Sequence, residues 1–169
     1  MITPHNYHDL PTICNTLAQE KGWWDDPRPE HLLQLLCISE ITEALEAMRA
    51  GKRADKDLAL KVAENFNAQV FKANIKDTVE DEIADAAIRC FDVLGANNTE
   101  ITELYKQATF GYYSLNFKSF ISCVLESYYQ GAIEQCYQAA TLLDFDLDLH
   151  IALKLEYNKT RPNKHGKKF

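Results

Sequence analysis

An all-α fold is predicted by three features of this sequence. Apolar residues recur at helical spacing along nearly the whole chain, and no segment alternates apolar with polar residues as a half-buried strand does. Glycine and proline are also scarce, at six and five in 169 residues. The expected architecture is a helical bundle in one all-α domain spanning residues 1–169.

The first helix is expected from about His8 to Lys21, with Leu10, Ile13, Cys14 and Leu17 on one face. Gly22-Trp23-Trp24-Asp25-Asp26-Pro27-Arg28-Pro29 is rich in turn residues and reads as a loop. A second helix runs from Pro29 or Glu30 to Arg49, with proline suited to its first turn and Gly51 just past its end. After the basic connector Lys52 to Lys56, a weaker helix covers Asp57 to about Phe71. A strong helix opens at Asp77-Thr78 and runs through Leu94, where Gly95-Ala96-Asn97-Asn98 is expected to stop it. Thr78 is its N-cap, with Asp81 in the place where a capping box has Glu or Gln. From Thr99 to Leu143 the pattern is a short helix and then a long one around Phe117 to Leu142, an expected helical insertion (residues 99–144) without a chemical motif. Asp144 to about Lys159 makes the last helix, ended by Pro162 and followed by a basic tail.

The formal net charge of -7 argues against a broad nucleic-acid-binding surface. Five scattered cysteines, none in a CxxC pair, form neither a zinc site nor a disulfide framework and are expected as reduced thiols. The N-terminal residues show no basic n-region with an apolar run, and no stretch is long and apolar enough to span a membrane. A cytoplasmic location is the expectation.

The chemistry resides in carboxylates. On a wheel of the second helix, Leu32, Leu33, Leu36, Cys37, Ile41, Ala44, Leu45, Ala47 and Met48 form an apolar arc. Glu40 falls near its middle and Glu43 inside its edge. An unpaired buried carboxylate is costly, so two of them there require compensation. The helix from Thr78 repeats the arrangement, with Glu82, Asp85, Arg89 and Asp92 in a charged strip beside its apolar face. Residues three apart share a helix face, so Glu40, Glu43, Glu82 and Asp85 can converge on a divalent metal between two packed helices. Oxygen-only ligands select hard cations, Mg2+ first, with Mn2+ as a substitute. Neither pair is diagnostic alone: Glu-x-x-Glu is common on surface helices, and Asp85 with Arg89 also suits an i,i+4 salt bridge.

At the C-terminal end, Lys154, Tyr157, Asn158 and Arg161 fall on one helical face at spacings of three, four and seven. Two cations, a phenol and an amide suit a phosphorylated ligand. A basic last turn complementing the helix dipole is the plainer reading.

Taken together, Gly22-Trp23-Trp24, Ser39-Glu40-Ile41-Thr42-Glu43-Ala44-Leu45-Glu46, Glu82-Ile83-Ala84-Asp85 and Tyr157-Asn158-x-x-Arg161-Pro162 resemble the MazG-like branch of the all-α nucleoside triphosphate pyrophosphatases. The likeness covers roughly residues 20 to 95 and 147 to 169 and rests on the order of the motifs. It implies a homodimer or homotetramer and Mg2+-dependent cleavage of a nucleoside triphosphate to monophosphate and pyrophosphate. By position it implies Glu40, Glu43, Glu82 and Asp85 as metal ligands, and Lys154, Tyr157, Asn158 and Arg161 as holders of phosphate or sugar. Trp24 would flank the base, although Trp23 and Trp24 suit core anchors equally. The general base would be Glu43 or Glu46. The segments Thr99–Asp144 and Gly51–Asp77 are longer than in the shortest family members, so substrate choice does not transfer.

A di-iron bundle would need Glu-x-x-His pairs, and none of the five histidines supplies one. No Walker A loop, GxGxxG or Ser-His-Asp pattern occurs. The alternative outside enzymology is a catalytically silent helical-bundle adaptor or regulatory protein that retains the fold.

Overall fold

The computed structural model describes residues 1–104 and 117–166, and these form eight α-helices and a closing 3-10 turn at Asn163–Gly166, with no strand among them. The helices are α1 (Leu10–Glu20), α2 (Glu30–Arg49), α3 (Lys56–Glu64), α4 (Ala68–Asn74), α5 (Val79–Ala96), α6 (Phe117–Leu125), α7 (Tyr129–Leu143) and α8 (Leu147–Thr160). The all-α bundle expected from periodicity is therefore found. No helix among the described residues is long and apolar enough to cross a membrane. All five cysteines are free thiols.

Local chemistry sets four of the eight helix starts. The side chains of Asp55, Asn67, Thr78 and Asp146 accept backbone N–H groups in the first turns of α3, α4, α5 and α8, satisfying donors that a helix end leaves open. The single helix expected over Asp57 to Phe71 is two, because Asn67 starts a new one after the break at Asn65. The long helix expected from Phe117 is likewise split, with Ser127 in a left-handed conformation between α6 and α7. Residues Ile101–Leu104 are not helical, and the rest of the short helix expected after Thr99 lies outside the described residues, as does the basic tail beyond residue 166.

α5 is the axis of the molecule, packing against α1, α2, α7 and α8. Ala84, Ala86 and Ala87 are fully buried there beside Ile83, Cys90 and Phe91. The helix ends at Ala96 with Asn97 as its C-cap, inside the stretch Gly95–Asn98 expected to stop it, and Gly95 has a packing role as well. A Cβ at Gly95 would lie 2.2 Å from the Pro11 carbonyl oxygen, so glycine is required where α1 crosses α5. α6 and α7 share the main core with α1, α2 and α5. A smaller cluster packs Ala59, Val62 and Phe71 of α3 and α4 against Leu149, Leu153 and Tyr157 of α8. α8 thus lies between α5 and the α3–α4 pair, with almost no face left to solvent.

Candidate metal centre

The first turns of α5 and the middle of α2 bring carboxylates together. One oxygen each of Glu40, Glu82 and Asp85 lie within 4.8 Å of one another, a geometry able to hold a metal ion. Asp77, Asp81 and Glu82 form a second such group. Glu82 belongs to both and is only 4% exposed. Glu43 lines the same cavity but is exposed and stands outside both groups.

Two cations are threaded through the cluster. Lys154 reaches from α8 and donates to Asp81 Oδ2 at 2.6 Å, with Asp85 Oδ2 at 2.7 Å. Arg89 Nε donates to Glu40 Oε1 at 3.0 Å. The Asp85–Arg89 bridge suggested by i,i+4 spacing is replaced by these cross-helix pairs. Asp81 Oδ2 also accepts the Asp77 N–H at 3.0 Å, while Asp81 Oδ1 is buried without a partner among the described residues. Asp81, expected only as part of a cap, is therefore a member of the site. Its sequence signal is the spacing Asp77-Asp81-Asp85, one residue per helical turn.

Burial governs the protonation states. It pushes the Glu82 carboxyl up to about 8, aided by Asp85, Asp81 and Glu40 and opposed by Lys154. Burial also raises Asp81, to about 6 despite Lys154, and raises Glu40 despite Arg89. Burial alone would lower the Lys154 ammonium, but Asp85 and Asp81 outweigh it and hold it well above the usual lysine range. Glu82 is the one acidic member of the Glu40–Glu82–Asp85 group that makes no side-chain hydrogen bond or ion pair among the described residues.

The cluster opens on a cavity of about 180 Å³. Asn158 and Arg161 line it with Lys154, as expected; Tyr157 does not. The Tyr157 ring instead stacks on Phe71, with centroids 4.8 Å apart, because that face of α8 is covered by α4. Asn158 Oδ1 is buried without a partner among the described residues. Arg161 forms no ion pair among the described residues; its guanidinium lies over the Tyr157 ring. Lys154, held by two carboxylates, is not a free phosphate ligand. Glu46 lies on the outer face of α2, 68% exposed, paired with Arg49 at 2.7 Å and away from the cavity.

Trp23 and not Trp24 forms part of the cavity wall, with the Arg89 guanidinium 5.6 Å from its ring centroid. Trp24 donates its indole N–H to Asp92 Oδ1 at 2.9 Å, and Asn15 Nδ2 donates to the same oxygen at 2.9 Å. Arg28 covers both indoles. Comparison with known proteins adds nothing to this geometry: no protein-family model, curated protein or solved structure matches the chain. What fold and site define is an all-α bundle with a buried carboxylate cluster beside a basic-rimmed cavity.

Proposed function

We propose that this chain is a divalent-cation-dependent nucleoside triphosphate pyrophosphohydrolase of the MazG-like type. The observation that carries the reading is Glu82, a buried carboxylate with no side-chain partner among the described residues, set within 4.8 Å of Glu40 and Asp85. A buried acidic group in that position is left for a ligand the protein chain does not itself provide.

The residues fit a hard dication. All donors are oxygens, as Mg2+ or Mn2+ requires. Once Glu82 has released its proton, four carboxylates (Glu40, Asp81, Glu82 and Asp85) face two cations (Lys154 and Arg89), an excess of two negative charges for one divalent ion to offset. Glu40, Glu82 and Asp85 would hold it, with Glu43 within the same cavity. Bound there, the ion supplies positive charge against phosphate oxygens and acidifies water.

The protein's own groups then have separable tasks. Arg161, free of any carboxylate, offers a planar fork to the phosphate chain, and Asn158 contributes an amide beside it. In the reaction, water adds to the α-phosphorus, the bond from that phosphorus to the bridging oxygen breaks, and monophosphate and pyrophosphate leave. The water's proton goes to a carboxylate. Glu43 is the better placed of the two candidates, since Glu46 is paired with Arg49 outside the cavity. Lys154 acts one step removed, holding Asp81 and Asp85 in register.

The test is release of pyrophosphate from a panel of ribo- and deoxyribonucleoside triphosphates with Mg2+. Pyrophosphate is expected from wild type, and a loss of at least about 100-fold in Glu82→Ala. Intact triphosphates, or orthophosphate in place of pyrophosphate, would sink the proposal. The silent-adaptor reading draws on the internal pairing of Glu40 with Arg89 and of Asp85 with Lys154, and it would stand if no triphosphate is cleaved.

A further inference from the structure

Asp92 is buried and lines the cavity, two helical turns beyond Asp85 of the carboxylate cluster. It sits seven residues beyond Asp85 on α5, so both are on one face, roughly 10 Å apart along the helix axis. That is the scale on which a nucleotide separates its phosphates from the far edge of its base. Cys14, Leu17 and Ala18 of α1 give the cavity an apolar wall able to take a ring, while the Trp23 indole beside them carries the Arg28 and Arg89 guanidinium groups at 5.0 and 5.6 Å.

The hydrogen bonds of Asp92 are lopsided. Both donors, Asn15 Nδ2 and Trp24 Nε1, fall on Oδ1. Oδ2 has no hydrogen-bond or ion-pair partner among the described residues. Asn15 is itself held, its Oδ1 accepting from Gln19 Nε2 at 2.5 Å. The carboxylate is therefore fixed with one acceptor oxygen left for whatever enters the cavity. An acceptor at the edge of a base slot matches an exocyclic amino group and opposes a carbonyl oxygen. A cavity of about 180 Å³ is small for a ligand site, which favours one ring over two.

We infer that Asp92 is a specificity-determining residue that selects a 4-aminopyrimidine base, the cytosine type, over uracil and over purines. The inference rests on the nucleotide reading of the same site. Trp24, expected to flank the base, is instead a positioning residue that orients Asp92. The bonding pattern also fixes the effect of a substitution. In Asp92→Asn the amide oxygen must stay with the two donors, so the amide nitrogen faces the cavity. An acceptor becomes a donor, and the preferred base becomes uracil.

The decisive measurement needs neither metal nor turnover. CMP, UMP and AMP are titrated in EDTA while the Trp24 indole N–H resonance, assigned with Trp24→Phe, is followed by NMR. CMP is expected to move that resonance at concentrations at least about tenfold below UMP or AMP. With Mg2+, kcat/KM for pyrophosphate release should rank CTP above UTP and ATP in the same order. Asp92→Asn should place UMP and UTP first. Equal or tighter binding of UMP or AMP to wild type overturns the inference, as does a folded Asp92→Asn protein that still prefers cytosine. If that variant does not fold, the wild-type ranking decides alone. Equal pyrophosphate release from all bases leaves the enzyme reading intact and refutes base selection. A CMP-selective shift without any triphosphate cleavage does the reverse.

Discussion

Lys154 is 2% exposed and carries a full charge between two carboxylates. Removing one partner of a buried ionic group costs more than the group contributes, because the remaining charges are stranded. Lys154→Met is therefore expected to lower stability by about 3–5 kcal/mol in metal-free urea denaturation. Added Mg2+ should restore part of the loss by compensating Asp85. A loss below about 1 kcal/mol, the value of an exposed pair, would contradict this role. In the sequence, Lys154, Tyr157, Asn158 and Arg161 share a helical face, but the structure divides them. Three line the cavity, and Tyr157 turns to Phe71. Helical spacing gives proximity within one element; it carries no information on which of several neighbouring elements covers each part of the face. The same reason explains Asp85, whose local partner Arg89 is taken by Glu40 on another helix.

At the scale of the element, helix existence was legible and helix limits were less so. α2 and α5 are long, α2 bracketed by Pro29 and Gly51 and α5 amphipathic and capped by Thr78, and both appear where expected. The stop of α5 fell inside the expected stretch Gly95–Asn98, but the packing role of Gly95 was not legible, because a helix-ending glycine and a packing glycine look alike until the crossing of α1 is known. α8 is the more demanding case, since burial on nearly all sides places polar residues in its interior. His150, one turn before Lys154, is such a residue. Its Nδ1 is buried without a partner among the described residues, and burial pulls its imidazole down to about 4, against the opposing pull of Glu80 and Asp146. A histidine lowered from 6.5 to about 4 on folding binds fewer protons native than unfolded across that window. Stability from keeping it neutral is present above pH 6.5 and is lost as pH falls to 4. Between those limits wild type should lose about 3 kcal/mol relative to His150→Phe, read from urea unfolding of both proteins at pH 7 and pH 4. Parallel stability curves would show that the histidine is not held neutral.

On the scale of the whole molecule, an acidic chain gathers much of its uncompensated charge at one internal point. Glu40 comes from α2, and Asp81, Glu82 and Asp85 come from α5, so the cluster exists only when these helices are packed. An ion bound there binds the native state alone, and its binding energy becomes folding energy. At one hundred times its Kd, the gain is about 2.7 kcal/mol. For a chain of this length that corresponds to a rise in Tm of roughly 5–10 °C. Mg2+ or Mn2+ should produce the rise, and NaCl at matched ionic strength should not, because screening acts little on a buried site. Protonation adds a second signature. With its carboxyl pushed up to about 8, Glu82 must release a proton to bind a cation. The metal-induced rise should therefore be smaller at pH 6 than at pH 8, and Glu82→Gln should abolish it at both. Equal responses to Mg2+ and NaCl, or an undiminished rise in Glu82→Gln, would remove the metal from the site and leave the cluster as an internally paired structural core.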